Sequence, residues 1–302
     1  MVRDDCPKKQ NRLPPWNFGV ILNGYLYCLS NDTHKIHKFS FKDSEAILLG
    51  CTGTSNKYVF YDKDLEVVED VEVKLEGSID IPPAMSGHQM IIAGDYLAVT
   101  SWNDYHYFQR YDLQLINQDL EVVAGWLNTD MKGLDAICYD GNYIYVIGYQ
   151  DFLIFDFELN RLKDSYIGGF DYSSMIIVDG VVYAVEWWYQ TVSKIIPSIQ
   201  NNTYITASRE IDSELNNIVY FKGFLFTFGY SYKTYPYDIF KLDLDLVIKN
   251  KVYHGFTKAP TVILGEDYMY VLDDKSKLFR VDQDLNISNL KTTNLIGLVG
   301  LI

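Results

Sequence analysis

Tyr61-Asp62-Lys63-Asp64-Leu65-Glu66-Val67, Leu242-Asp243-Leu244-Asp245-Leu246-Val247-Ile248 and Val281-Asp282-Gln283-Asp284-Leu285-Asn286-Ile287 are three copies of one phrase. Each reads apolar, Asp, any residue, acid, Leu, any residue, apolar. Looser copies stand at Ile116-Asn117-Gln118-Asp119-Leu120-Glu121-Val122 and Phe155-Asp156-Phe157-Glu158-Leu159-Asn160-Arg161. Self-similarity of this kind in a β-rich chain means stacked or radially arranged units. The phrase has a local rationale. An Asp or Asn side chain bonds its own backbone in an Asx-turn, and the following Leu returns an apolar group to the core.

A second element recurs alongside it: an apolar strand, a turn ending near Gly, then an aromatic strand. Ala136-Ile137-Cys138-Tyr139-Asp140-Gly141-Asn142-Tyr143-Ile144-Tyr145-Val146 and Met175-Ile176-Ile177-Val178-Asp179-Gly180-Val181-Val182-Tyr183-Ala184-Val185 are two examples. Asp-Gly or Asn-Gly between β-branched and aromatic runs is a tight-hairpin signal. The unit therefore reads strand A, tight turn, strand B, longer turn, strand C, the Asp corner, strand D. Turn glycines at 94, 141, 180 and 223 recur every 39 to 47 residues, the period of a four-stranded propeller blade. No helical period of useful length is present.

The Asp140-Gly141-Asn142-Tyr143-Ile144-Tyr145-Val146 style of blade, closing on Phe155-Asp156, resembles the YVTN/NHL-type β-propellers. The resemblance runs from about Trp16 to the end of the sequence. It implies an all-β ring of four-stranded antiparallel blades. Its motifs recur in lectins, scaffolds and hydrolases, so it implies no single activity. The expected architecture is a flexible lead-in over residues 1–15 and one propeller over 16–302, with seven blades and six as the alternative. Ala46–Cys51 reads as another B strand leading into Tyr58–Tyr61 as C. It follows the first hairpin too closely for a whole blade to intervene. The first strands are therefore expected to form a partial blade completed by residues 296–302, so that both termini close the ring and hide its edges.

Composition narrows the function classes. With 48% hydrophobic residues, 25 Tyr and 16 Phe in 302 residues, the chain is built to bury a core. A net charge of −14 with no Lys/Arg block argues against nucleic acid. No apolar run approaches the length of a membrane span. Residues 1–15 are polar and lack the apolar segment of a signal peptide, so the cytoplasm or a virion or other assembly is the expected location. The four cysteines show neither CxxC nor zinc spacing, and Cys28, Cys51 and Cys138 sit in apolar runs as small buried hydrophobes.

Two sets of residues carry the candidate chemistry. Counting back from the hairpin glycines places His88, Asp135, Ser174 and Asn217 at the heads of successive A strands, around the mouth of a central channel. The B–C turns hold the second set, on the face they share with the D–A loops: Trp102, Tyr105, His106 and Tyr107, then Tyr149, then Glu186, Trp187, Trp188 and Tyr189, then Tyr230, Tyr232 and Tyr235. Turn tips are ordinarily small and polar. Aromatic faces interleaved with acids and amides suit a sugar ring or a protein hot spot. The leading expectation is a non-enzymatic binding module or structural assembly protein that presents an aromatic, acidic face to a protein or glycan, with no cofactor. The alternative is a lactonase-like propeller hydrolase, with Asp135 and Asn217 holding Ca²⁺ and His88, with Asp135, as the catalytic groups.

Overall fold

The computed structural model describes residues 18–30, 34–41, 46–52, 58–69, 71–81, 88–101, 112–127, 134–148, 150–168, 172–187, 189–211, 213–230 and 238–300. Hydrophobic alternation and the hairpin turns fold them into seven four-stranded antiparallel sheets arranged as a ring. Blade 1 combines β1 (Phe18–Leu22), β2 (Tyr25–Ser30) and β3 (Lys35–Phe41) with β7 (Val73–Asp80). Blade 2 holds β8 (His88–Ala93), β9 (Tyr96–Ser101), β10 (Leu113–Ile116) and β11 (Val122–Trp126). Blade 3 holds β12 (Ala136–Tyr139), β13 (Ile144–Gly148), β14 (Asp151–Phe155) and β15 (Arg161–Tyr166). Blade 4 holds β16 (Tyr172–Val178), β17 (Val181–Glu186), β18 (Thr191–Ile196) and β19 (Tyr204–Glu210). Blade 5 holds β20 (Glu214–Phe221), β21 (Phe224–Tyr230), β22 (Ile239–Leu242) and β23 (Ile248–Val252). Blade 6 holds β24 (Thr261–Leu264), β25 (Met269–Leu272), β26 (Lys277–Val281) and β27 (Ile287–Thr292). Blade 7 joins β4 (Leu48–Thr52), β5 (Tyr58–Tyr61) and β6 (Val67–Val68) to β28 (Leu295–Gly300).

The count is seven, and the six-bladed alternative falls. The C-terminal strand closes the ring as expected, completing the blade that holds Leu48–Thr52 and Tyr58–Tyr61: Leu298 faces Gly50 and Val299 faces Leu49. The chain leaves blade 1 after β3, lays down three strands of blade 7, then returns to supply β7 beside β3. Among the described residues no helix is long and apolar enough to cross a membrane.

The core lies between blades. Tyr145, Ile147 and Phe152 of blade 3, for example, pack with Tyr172, Val182, Ala184 and Ile195 of blade 4. Cys28 and Cys138 are buried cysteines, and burial pushes the Cys138 thiol well above its ordinary range. Three A–B turns have both central residues at positive φ: Asn23-Gly24, Asp179-Gly180 and Lys222-Gly223. That geometry matches the twist of the flanking strands.

The corner phrase folds as its chemistry dictates. Asp282 Oδ1 accepts the N–H of Asp284 at 2.8 Å and of Asn286 at 2.9 Å. Asp62, Asn117, Asp156 and Asp243 repeat the arrangement. The following Leu lies in the left-handed region, at φ 63° for Leu65 and Leu246 and 68° for Leu285. Glycine is the usual occupant of such a position, since a side chain costs about 1–2 kcal/mol there. Burying a Leu side chain is worth about 1.5–3 kcal/mol, enough to offset that strain. Leu65, Leu246 and Leu285 are all buried.

The corners of blades 2, 5, 6 and 7 also tie each of these blades to its predecessor. Lys194 of blade 4 reaches the Leu244 carbonyl at 3.0 Å and the Asp245 carboxylate at 3.2 Å, while Tyr183 Oη donates to the same carbonyl. Lys241 meets Asp284 at 3.2 Å, and Arg280 meets Asp64 at 2.8 Å and the Lys63 carbonyl at 3.0 Å. Lys38 and Tyr27 of blade 1 both donate to the Gln118 carbonyl of blade 2.

Replacing Asp282 by Ala should lower stability by about 1–2 kcal/mol, because two backbone donors lose a charged acceptor. Urea unfolding measures this, and Asp282→Asn should recover most of the loss. Burial alone would raise the Asp282 carboxyl, but hydrogen bonds from Asn286 and Asp284 outweigh it and hold it below its ordinary 3.8. The contribution is therefore present above that value and fades as pH falls through the folded-state value.

Candidate functional site

Blade 4 ends at the face of B–C turns and D–A loops in a cross-strand row. Tyr172 stands opposite Glu186, Glu186 opposite Thr191, and Thr191 opposite Glu210. Residues opposite one another in a sheet project from the same side, so all four side chains line the surface turned toward blade 3. The next row places Ser193 opposite Ser208, with their hydroxyls 3.2 Å apart. Across the gap stand Gln150 in the B–C turn of blade 3 and Tyr166 at the end of β15. Together with Tyr189 and Ile205 they bound a cavity of about 590 Å³. That volume is within the range of small-molecule sites, roughly 300–1,000 Å³.

Local hydrogen bonds fix the walls. The Gln150 carbonyl accepts the N–H groups of Ile167 and Gly168, holding the loop that leads from blade 3 into blade 4. Tyr172 Oη donates to the Gly168 carbonyl at 3.4 Å. Thr191 Oγ1 donates to Glu186 Oε2 at 3.1 Å. Glu186 is only 4% exposed, whereas Tyr189 and Tyr166 are 52% and 72% exposed and flank the mouth.

Among the described residues, the lining contains two glutamates and no Lys, Arg or His. Burial first and the Glu186 carboxylate second push the Tyr172 phenol above its ordinary range, so it stays a hydrogen-bond donor. Asp151, opposite Tyr166 in the register, has its carboxyl raised by burial and then by Asp164, against the pull of Arg161.

Of the expected aromatic face, Glu186 and Tyr189 meet in this cavity. Trp187 leans the other way, donating from Nε1 to Glu214 Oε2 of blade 5 at 3.0 Å. Tyr230 closes β21 opposite Glu214. Trp102, Tyr105, His106, Tyr107, Tyr149, Trp188, Tyr232 and Tyr235 lie outside the described residues. Tyr166, Tyr172, Thr191, Ser193, Ser208 and Glu210 are members that sequence reasoning missed. The signal was available in part, since four of them end or begin strands at the same edge of the blades.

The channel-mouth residues fall on successive A strands. His88 opens β8, Asp135 precedes β12, Ser174 lies in β16 and Asn217 in β20. Around them, polar groups stitch neighbouring blades together. Gln89 Nε2 donates to the carbonyls of Asp135 and Ser173 at 2.6 and 2.9 Å. Ser174 Oγ accepts the Ile218 N–H at 3.5 Å, and Asn217 Nδ2 donates to the Pro260 carbonyl at 2.6 Å. Among the described residues, no three His, Cys, Asp or Glu side chains group as metal ligands.

Comparison with known proteins places the architecture. No protein-family profile matches the sequence. No curated protein matches it either. Solved structures do match. Virginiamycin B lyase from Staphylococcus aureus superposes with a TM-score of 0.61 at 10% identity, over 91% of this chain and 85% of that one. The Pan2 WD40 domain from Neurospora crassa gives 0.56 at 13% identity, over 88% and 78%. A functionally unknown protein from Desulfotomaculum acetoxidans gives 0.58 at 11% identity, over 94% and 98%. The chain is a seven-bladed β-propeller. At these identities the likeness extends to the fold alone, and a lyase and a WD40 domain share it.

Proposed function

We propose that this propeller is a non-enzymatic binding module, a component of a larger assembly, that engages a protein or glycan partner through the face of B–C turns and D–A loops. The observation that carries the reading is the cavity between blades 3 and 4, where exposed tyrosine rings flank buried, oriented polar groups. Apolar platforms joined to fixed hydrogen-bonding groups are what partner recognition needs.

Tyr189→Ala tests it. The ring is half exposed, so its loss should leave the melting temperature within a few degrees. Capture on a glycan array, or of a partner from the native source, should fall at least tenfold. Capture that is unchanged by this variant sinks the reading.

A further inference from the structure

We infer that the cavity between blades 3 and 4 is a site for a small organic cation, a primary or quaternary ammonium seated against Tyr166 and Tyr189 with Glu186 and Glu210 as its counter-charges. The inference rests on the proposed binding face and names the chemistry of one ligand for it.

Three observations converge. First, the lining, among the described residues, carries two carboxylates and no basic side chain, so an anion meets like charge and a cation meets opposite charge. Second, three of the ten lining residues are tyrosines, whose ring faces attract a desolvated ammonium. Third, the two glutamates are held in a fixed arrangement. Thr191 lies between them in the cross-strand row, so their backbones stand two strand spacings apart, roughly 10 Å. Glu186 is buried and oriented by the Thr191 hydroxyl, while Glu210 is exposed at the outer rim. A cation entering between Tyr166 and Tyr189 therefore passes the outer carboxylate before it reaches the inner one. A primary ammonium there also donates charge-assisted hydrogen bonds, about twice as strong as neutral ones, whereas a quaternary ammonium is held by charge attraction and the ring faces alone.

Isothermal titration of the whole chain with choline chloride and with spermidine at low salt, with glucose and acetate as controls, decides the matter. At least one amine should saturate a single site, weaken as salt rises, and bind at least tenfold less well to Glu186→Gln. Because Glu186 is buried, Glu210→Gln provides a second variant at an exposed position, expected to weaken binding several-fold with an unchanged melting curve. The inference is overturned if neither amine saturates, if only a lysine-rich peptide binds, or if both folded variants bind amines as the parent does. Glycan or protein capture that depends on Tyr189 without any amine binding overturns the cation assignment and leaves the broader face intact. Amine binding that depends on Glu186, without Tyr189-dependent capture, supports the cation site and removes the broader reading.

Discussion

A chain lacking residues 295–302 should lose cooperative folding. Leu295, Leu298 and Val299 of β28 are buried, and each such side chain is worth about 1.5–3 kcal/mol. Their combined loss, roughly 5–9 kcal/mol, is comparable with the whole stability of a typical domain, about 5–15 kcal/mol. The deletion also leaves the ladder groups of β4 without partners and opens the contacts that β28 makes with β24 and β1. An open ring with an exposed inner edge is prone to associate. Circular dichroism melting and size-exclusion chromatography should show a broad transition and aggregation. Adding the 295–302 peptide in excess should sharpen the melt. A truncated chain that melts cooperatively within a few degrees of the parent would show that the ring stands without its clasp.

Asp238→Ala should be the most damaging single substitution among the described polar residues. Asp238 is fully buried in front of β22. Its carboxylate accepts three backbone N–H groups, from His254 at 2.8 Å, Gly255 at 2.6 Å and Phe256 at 2.9 Å. Those residues form the passage from blade 5 to blade 6. There the His254 ring packs against both Phe256 and Phe279 and reaches Asp273 at 3.3 Å. Removing the acceptor strands three donors in a dry place, a loss of about 3–5 kcal/mol. Asp238→Asn keeps one oxygen and should lose roughly half as much. Denaturant unfolding gives the totals, and hydrogen exchange at the amides of 254–256 locates the effect. Protection unchanged at those amides would mean that another acceptor takes the carboxylate's place.

The repeating unit was legible because its signals are local. A hairpin turn, a period of two and an Asx corner each act over a few residues, so counting from the corner put Glu186 and Tyr189 on one face. The return of the chain to blade 1 through β7 was not legible. β7 carries no corner phrase, and alternation states which side of a strand is buried without naming its neighbour. The left-handed Leu escaped as well, since nothing in its residue type announces φ > 0. The cavity was legible only in half. Thr191 and Glu210 look like ordinary strand ends until the register sets them beside Glu186. Asp238 reads as a turn residue, and its role depends on a loop arriving 16 to 18 residues later.

The ties between blades carry a consequence of their own. Where blades 1, 4, 5 and 6 place Lys38, Lys194, Lys241 and Arg280, the equivalent positions of blades 2 and 3 are Leu115 and Ile154. The corner of blade 3 presents Phe157, packed on Tyr96 and Tyr139, and blade 4 turns through Pro197-Ser198-Ile199-Gln200 with no Asp phrase. Blade 7 has Phe60 there, so charged ties span the junctions 1–2, 4–5, 5–6 and 6–7, and the circle is made of two kinds of junction. Ionic strength slackens the junctions fastened by charges and leaves those fastened by rings and aliphatic chains far less affected. The cavity opens at a junction of the second kind, held by apolar packing and the neutral Thr203–Ser165 hydrogen bond, so its width is little coupled to the salt of its surroundings even though the ligand chemistry inside it is.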